Sequence, residues 1–183
     1  MDYSWQVLTL SEQGDDCGRW LLAKKGVSGA SFSLNPVFGV REDQGIFSCF
    51  DFPCKGFELH CGERQLAFGR ELFVPEPLRG RGVGSYLLRW LAGQALDAGL
   101  GAERVRSLHL ISRQNTELRN AFYERLGFEL TVYRDGSGWA RLPQLKAMQM
   151  QPSHEKVRPV LDEEPRPVAL QNFADMNSRL LQT

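Results

Sequence analysis

The chain has 183 residues, 42% of them hydrophobic, with 22 Lys and Arg against 22 Asp and Glu. This length can bury one substantial core with an appended segment, and the composition is ordinary for a globular protein. The charge balance argues against a large basic surface for nucleic acid, no apolar run approaches the roughly 20 residues of a membrane span, and the N-terminus lacks a basic-then-apolar secretory signal, so a cytoplasmic protein with no membrane or nucleic-acid partner is expected.

The N-terminal part reads as strands. Trp5 to Leu10 alternates apolar positions, and Trp20 to Ala23 is a short apolar run. Gly26 to Pro36 is rich in Gly and Ser and lacks a helical pattern, which predicts a mobile loop. Ile46 to Phe52 and Phe57 to Cys61 read as neighbouring strands, and Gly62-Glu63-Arg64 supplies a turn into Gln65 to Val74, so a hairpin should feed that last strand. Cys17, Cys49, Cys54 and Cys61 lack paired Cys-x-x-Cys elements. A set of Cys49, Cys54 and either His60 or Cys61 has no specific metal spacing, so reduced, partly buried thiols and no metal are expected.

The most informative stretch follows. Glu71-Leu72-Phe73-Val74 is an apolar strand end, Pro75-Glu76-Pro77-Leu78 a turn, and Arg79-Gly80-Arg81-Gly82-Val83-Gly84-Ser85 an Arg/Gly-rich loop opening an amphipathic helix. Gly80, Gly82 and Gly84 allow close backbone approach to a ligand, the helix start supplies unpaired N–H groups, and Arg79 and Arg81 add planar cations matched to phosphate oxygens. The expected ligand is a pyrophosphate. A Walker A loop would need Gly-Lys-Ser/Thr, and a dinucleotide fingerprint would need Gly-x-Gly-x-x-Gly; Gly80-x-Gly82-x-Gly84 is neither. A Gly-rich turn that binds nothing is the alternative, set against two arginines within it.

Val83, Tyr86, Leu87, Trp90, Leu91 and Ala95 recur at helical spacing and predict a helix packed on the sheet as far as Gly99. An apolar run from Val105 to Ile111 reads as a core strand, within which His109, between Leu108 and Leu110, is read as structural. Next come Asn115 and a helix carrying Asn120-Ala121-Phe122-Tyr123-Glu124-Arg125, closed by Leu126-Gly127-Phe128. Gly127 suits the residue that stops a helix, and Phe128 the first core residue of the next strand. That strand, Phe128 to Tyr133, turns through Asp135-Gly136-Ser137-Gly138 into Trp139 to Leu142.

Two of these motifs occur in a telling order. Arg79, Gly82 and Gly84, preceded by Val74-Pro75-Glu76, form an Arg-x-x-Gly-x-Gly loop that resembles the acyl-coenzyme A pyrophosphate loop of the GNAT N-acetyltransferase superfamily. The tyrosine-bearing helix that ends at Gly127-Phe128 resembles that family's closing motif. The resemblance covers about residues 66 to 142. It implies an α+β fold: a central, mostly antiparallel sheet splayed at the cofactor strand and flanked by helices. It also implies acetyl-CoA as acyl donor, contacted by Leu72, Phe73, Val74, Arg79, Gly80, Arg81, Gly82, Val83, Gly84, Ser85 and Asn115. Tyr123 would be the general acid that protonates the departing thiolate. Where the family has an Asn seven positions before this tyrosine and a small residue four before it, this chain has Thr116 and Arg119, with Asn115 one position earlier. For the general base, Glu71 on the cofactor strand and His60 on an adjoining strand both remain open.

Residues 143–183 change character. Five prolines, at 143, 152, 159, 165 and 167, mark a linker or extended arm in which His154 is uninformative. Leu170, Phe173, Met176, Leu180 and Leu181 then make a short apolar stripe. Such a helix must dock on its own domain, on a second subunit as a homodimer, or on a partner. The expected organisation is therefore an acetyltransferase domain at 1–142 and an arm at 143–183. The implied activity is N-acetyl (acyl) transfer to a primary amine of open identity. A non-catalytic acyl-CoA sensor and a toxin-like acetyltransferase acting on aminoacyl-tRNA are the two alternatives.

Overall fold

The computed structural model describes residues 2–12, 15–29, 31–43, 46–50, 56–62, 65–69, 72–111, 115–151 and 156–160. Strands β1 (Asp2–Glu12), β2 (Asp15–Ser28) and β3 (Ser31–Asp43) form an antiparallel meander. Leu8, Leu21 and Leu34 are fully or almost fully buried in it. The Gly/Ser-rich segment 26–36, read from sequence as a loop, is instead the end of β2 and the start of β3, joined at Gly29. The overlooked signal was alternation: Phe32 and Leu34 enter the core, while Ser31, Ser33 and Asn35 interleave with them.

Strand β3 is long enough to serve two neighbours. Its Gly39–Asp43 portion pairs with β4 (Ile46–Phe50), and its Ser31–Ser33 portion pairs with β5 (Glu58–Cys61). The two strands expected beside one another are therefore both neighbours of β3. The hairpin at Gly62 is present: β5 pairs with β6 (Gln65–Phe68), and the Gly62 N–H donates to the Gln65 carbonyl at 2.9 Å.

The sheet opens at the next pair. Strand β7 (Arg104–Val105) runs parallel to β6 over two residue pairs, Gln65 with Arg104 and Leu66 with Val105. Beyond them the chains part. The segment after β6 leads into Leu72–Val74, whereas β8 (Leu108–Leu110) joins a second antiparallel sheet with β10 (Gly138–Arg141) and β9 (Glu129–Val132) in the order β8-β10-β9. A mostly antiparallel α+β sheet that separates at the strand before the glycine loop is the arrangement expected from the sequence. His109, read from the sequence as structural, faces outward and packs at a tilt against Trp139 at a centroid distance of 4.9 Å; Leu108 and Leu110 are the buried members of that strand.

Two helices complete the fold. Helix α1 (Val83–Asp97) buries Val83, Leu87, Leu91 and Ala95, an i, i+4 stripe that meets the sheet's core face. Helix α2 (Thr116–Arg125) has no fully buried residue and is held mainly by polar contacts and its aromatic pair. No helix among the described residues is long and apolar enough to cross a membrane.

After β10 the chain turns at Leu145–Ala147 and runs back along α1 as a strap. Leu145 and Met148 are buried in the main core. Arg89 Nε donates to the Gln149 carbonyl at 2.9 Å, and the Met150 methyl lies 3.8 Å from where a side chain on Gly93 would begin. The strap then reaches Gly82 through Lys156 and ends as β11 (Val157–Pro159), antiparallel to β1 at the edge of the large sheet. The apolar stripe from Leu170 to Leu181 lies outside the described residues.

Candidate active site

The glycine loop is shaped by its own turn chemistry. Pro75 leads into a single 3₁₀ turn, Glu76–Leu78, in which the Leu78 N–H donates to the Pro75 carbonyl at 3.0 Å and the Arg79 N–H to the Glu76 carbonyl at 3.1 Å. Leu78 is 2% exposed and anchors the turn to the core. Gly80 and Gly82 then take φ values of 73° and 79°, the left-handed region that side-chain-bearing residues avoid. Gly82 caps α1, its carbonyl accepting the Tyr86 N–H at 2.9 Å. No side chain caps the first turn, so the opening N–H groups of α1, from Val83 to Ser85, have no acceptor within the helix.

Arg79 ties this loop to the strand before it. Its Nε donates to the Val74 carbonyl at 2.9 Å, and its guanidinium sits 5.8 Å from the centre of the exposed Phe73 ring. Leu72 and Val74 pack at the margin of the core, whereas Phe73 is 42% exposed beside the opening in the sheet. Arg81 is half-buried within the loop.

Gly84 joins the loop to the second helix. A Cβ there would lie 3.3 Å from Val74 Cγ2 and 3.3 Å from Phe122 Cε2, so strand end, α1 and α2 meet at the one place where a side chain is missing. Phe122 is followed by Tyr123, their rings edge-on at 5.0 Å, and Tyr123 meets Phe128 edge-on at 5.5 Å. Burial raises the Tyr123 phenol to about 12, an effect partly opposed by the nearby Arg119 charge. The proton therefore stays on Tyr123 throughout the neutral range. Among the described residues none hydrogen-bonds its hydroxyl.

Arg119 adds a polar fastening to a helix that has no fully buried residue. Nη1 donates to the Ile111 carbonyl at 2.6 Å and Nη2 to the Gly136 carbonyl at 2.8 Å, while Nε and Nη2 both reach Asn120 Oδ1, at 3.1 and 2.8 Å. One guanidinium thus fastens α2 to the end of β8 and to the β9–β10 turn, using the planar fork that lysine lacks. This role was not legible in the sequence, because both acceptors are backbone carbonyls with no residue signature. Asn115 caps α2 in the left-handed conformation at φ 66°, exposed and without a capping side-chain bond. It stands about 10 Å along the helix axis from Phe122, at 1.5 Å rise per residue.

The two candidate bases fare differently. His60 is on β5, with Nδ1 3.2 Å from Ser31 Oγ and Nε2 3.1 Å from Glu58 Oε2. Its register partner is Ala67, whereas Tyr123 reaches Phe68 through Phe128. Since successive strand residues face opposite sides, His60 and Tyr123 lie on opposite faces of the β5–β6 pair. Glu71 lies outside the described residues. Among the described residues no cluster of His, Cys, Asp or Glu has the grouping of a metal site.

The Acetyltransferase (GNAT) domain family matches residues 35–130, a span holding the glycine loop, both helices and Tyr123. The chain belongs to this family of acetyltransferases, whose domains use acetyl-CoA as cosubstrate. No curated protein and no solved structure matches the chain.

Proposed function

We propose that the protein is an N-acetyltransferase that moves an acetyl group from acetyl-CoA to a primary amine by direct attack. The observation that carries this reading is the contact at Gly84, which fastens the loop suited to a pyrophosphate to the helix bearing a protonated, half-buried tyrosine. The loop fits the donor's phosphates: Gly80 has open space where a Cβ would be, Gly82 is left-handed, and among the described residues no side chain caps the first N–H groups of α1.

In this reading the backbone of Arg79 to Ser85 holds the pyrophosphate and Leu72 to Val74 line the pantetheine arm, with Asn115 as a further polar contact. The thioester supplies an already activated acyl group, so neither a metal nor a covalent enzyme intermediate is required. The acceptor nitrogen bonds to the acyl carbon as the carbon–sulfur bond breaks. Glu71 takes the proton lost by the amine, directly or through water, and Tyr123 supplies one to the departing sulfur. Burial keeps the proton on Tyr123 until it is needed and also disfavours a free thiolate beside it; the raised phenol by itself opposes donation, and the destabilised thiolate favours it.

The test is release of free thiol from acetyl-CoA in the presence of a panel of primary amines and peptides, with the amide product identified by mass. Amine-dependent release that falls about 10²-fold in Tyr123→Phe is expected. Tight binding of acetyl-CoA with no turnover on any amine would favour a sensor instead.

A further inference from the structure

The strap that follows β10 delivers one cation to the start of α1. Running back along the helix, it passes Gly93 through Met150 and arrives at Gly82 through Lys156, whose Cβ lies 3.2 Å, and Cγ and Cδ 3.9 Å, from where a Gly82 side chain would begin. The Lys156 stem thus lies along the left-handed glycine that caps α1, and its residue is exposed. Immediately beyond it, Val157 is 3% exposed and pairs opposite Leu10 of β1. That strand pairing fixes the backbone from which Lys156 projects, so its approach to the loop is built into the fold.

We propose that Lys156 is a donor-binding residue: its ammonium completes the phosphate site of the glycine loop from outside the family-matched span, which ends at residue 130. This inference rests on the acetyl-CoA reading above. Arg79 spends its Nε on the Val74 carbonyl, so part of the loop's cationic capacity is taken up in holding the loop to the strand. A compact ammonium on a flexible four-carbon stem, anchored beside Gly82, can adjust to a diphosphate without demanding a planar fork. Charge on the phosphates is met from two sides, by the N–H groups of α1 from within and by Lys156 from the strap.

The experiment compares wild type, Lys156→Gln and Lys156→Arg by calorimetry with acetyl-CoA, and by thiol release with acetyl-CoA and with S-acetylpantetheine, which has no phosphate. Removing a charged hydrogen bond should weaken acetyl-CoA binding about tenfold and make it less sensitive to salt. Lys156→Arg should recover most of the affinity. Turnover of S-acetylpantetheine should be the same in all three proteins, which a merely structural role for the strap would not produce. If wild type binds acetyl-CoA and Lys156→Gln binds it equally well, the Lys156 inference is wrong while the donor reading stands. If wild type does not bind acetyl-CoA, the donor reading fails and takes this inference with it. An increase in affinity in Lys156→Gln would also overturn the proposal, making the lysine an obstacle instead of a ligand.

Discussion

Gly82 is the residue at which the loop's conformation and its ligand are most tightly linked, and Gly82→Ala tests that link. The glycine has φ 79°, and an added methyl would stand 3.2 Å from the Lys156 Cβ. Holding alanine in the left-handed region costs about 1 kcal/mol. The tight contact adds some tenths more as the strap gives way, for about 1.5 kcal/mol in all. For a protein of this size, that lowers the melting midpoint by about 3–6 °C. Binding should suffer more than stability, because relaxing the alanine to negative φ turns the first N–H groups of α1 away from the ligand. Losing one or two hydrogen bonds to a charged group predicts a 10- to 100-fold weaker acetyl-CoA affinity, at about 1.5–3 kcal/mol. Gly82→Asn, which tolerates the left-handed region, should retain more affinity than the alanine variant. Thermal melts and calorimetry on the same samples give both quantities. Unchanged affinity in Gly82→Ala, with the expected loss of stability, would refute the argument that this backbone binds the donor.

Three further outcomes follow from the same contacts. Tyr123 has a folded-state phenol raised to about 12, so its contribution to stability is complete below about pH 10 and is lost as the pH rises from there towards 12; in an ultraviolet titration, Tyr123→Phe should remove one phenolate that forms near pH 12. Arg119→Ala should destabilise the protein by about 1–3 kcal/mol through loss of the charged donor's hydrogen bonds to the Ile111 and Gly136 carbonyls; in denaturant melts, Arg119→Lys should recover only part of this. Truncation after Leu142 removes the buried Leu145, Met148 and Val157 and should lower stability in thermal melts by several kcal/mol, at about 1.5–3 kcal/mol per side chain.

The parts of the fold that sequence reasoning reached are those specified by local patterns. The glycine loop, the α1 stripe, the Gly127-Phe128 stop and the β9–β10 hairpin all announce themselves within a few residues. The segment around Gly26 to Pro36 misled because Gly and Ser outweighed the alternation of Phe32 and Leu34, which becomes decisive only once a core lies beneath them. The partners of β4 and β5 could not be read because β3 is long enough to serve both, and pairing over such distances leaves no local trace. The glycine spacing marked Gly84 as part of the loop, but only the structure shows that it is also where α2 docks. Prolines in 143–167 drew attention away from Leu145, Met148 and Val157, whose burial makes the strap part of the core as far as Val160. Lys156 has no sequence signal at all; its place beside Gly82 comes from the register of β11 on β1.

Whether loop and tyrosine together transfer an acyl group to an amine is decided by following acetyl-CoA with the amine panel in wild type and Tyr123→Phe under matched, donor-saturating conditions. Thiol release is expected to require an amine, to yield the corresponding amide, and to fall about 10²-fold in the variant while donor affinity is retained. Thiol release at the same rate with and without every amine, or equal turnover in Tyr123→Phe, would contradict it.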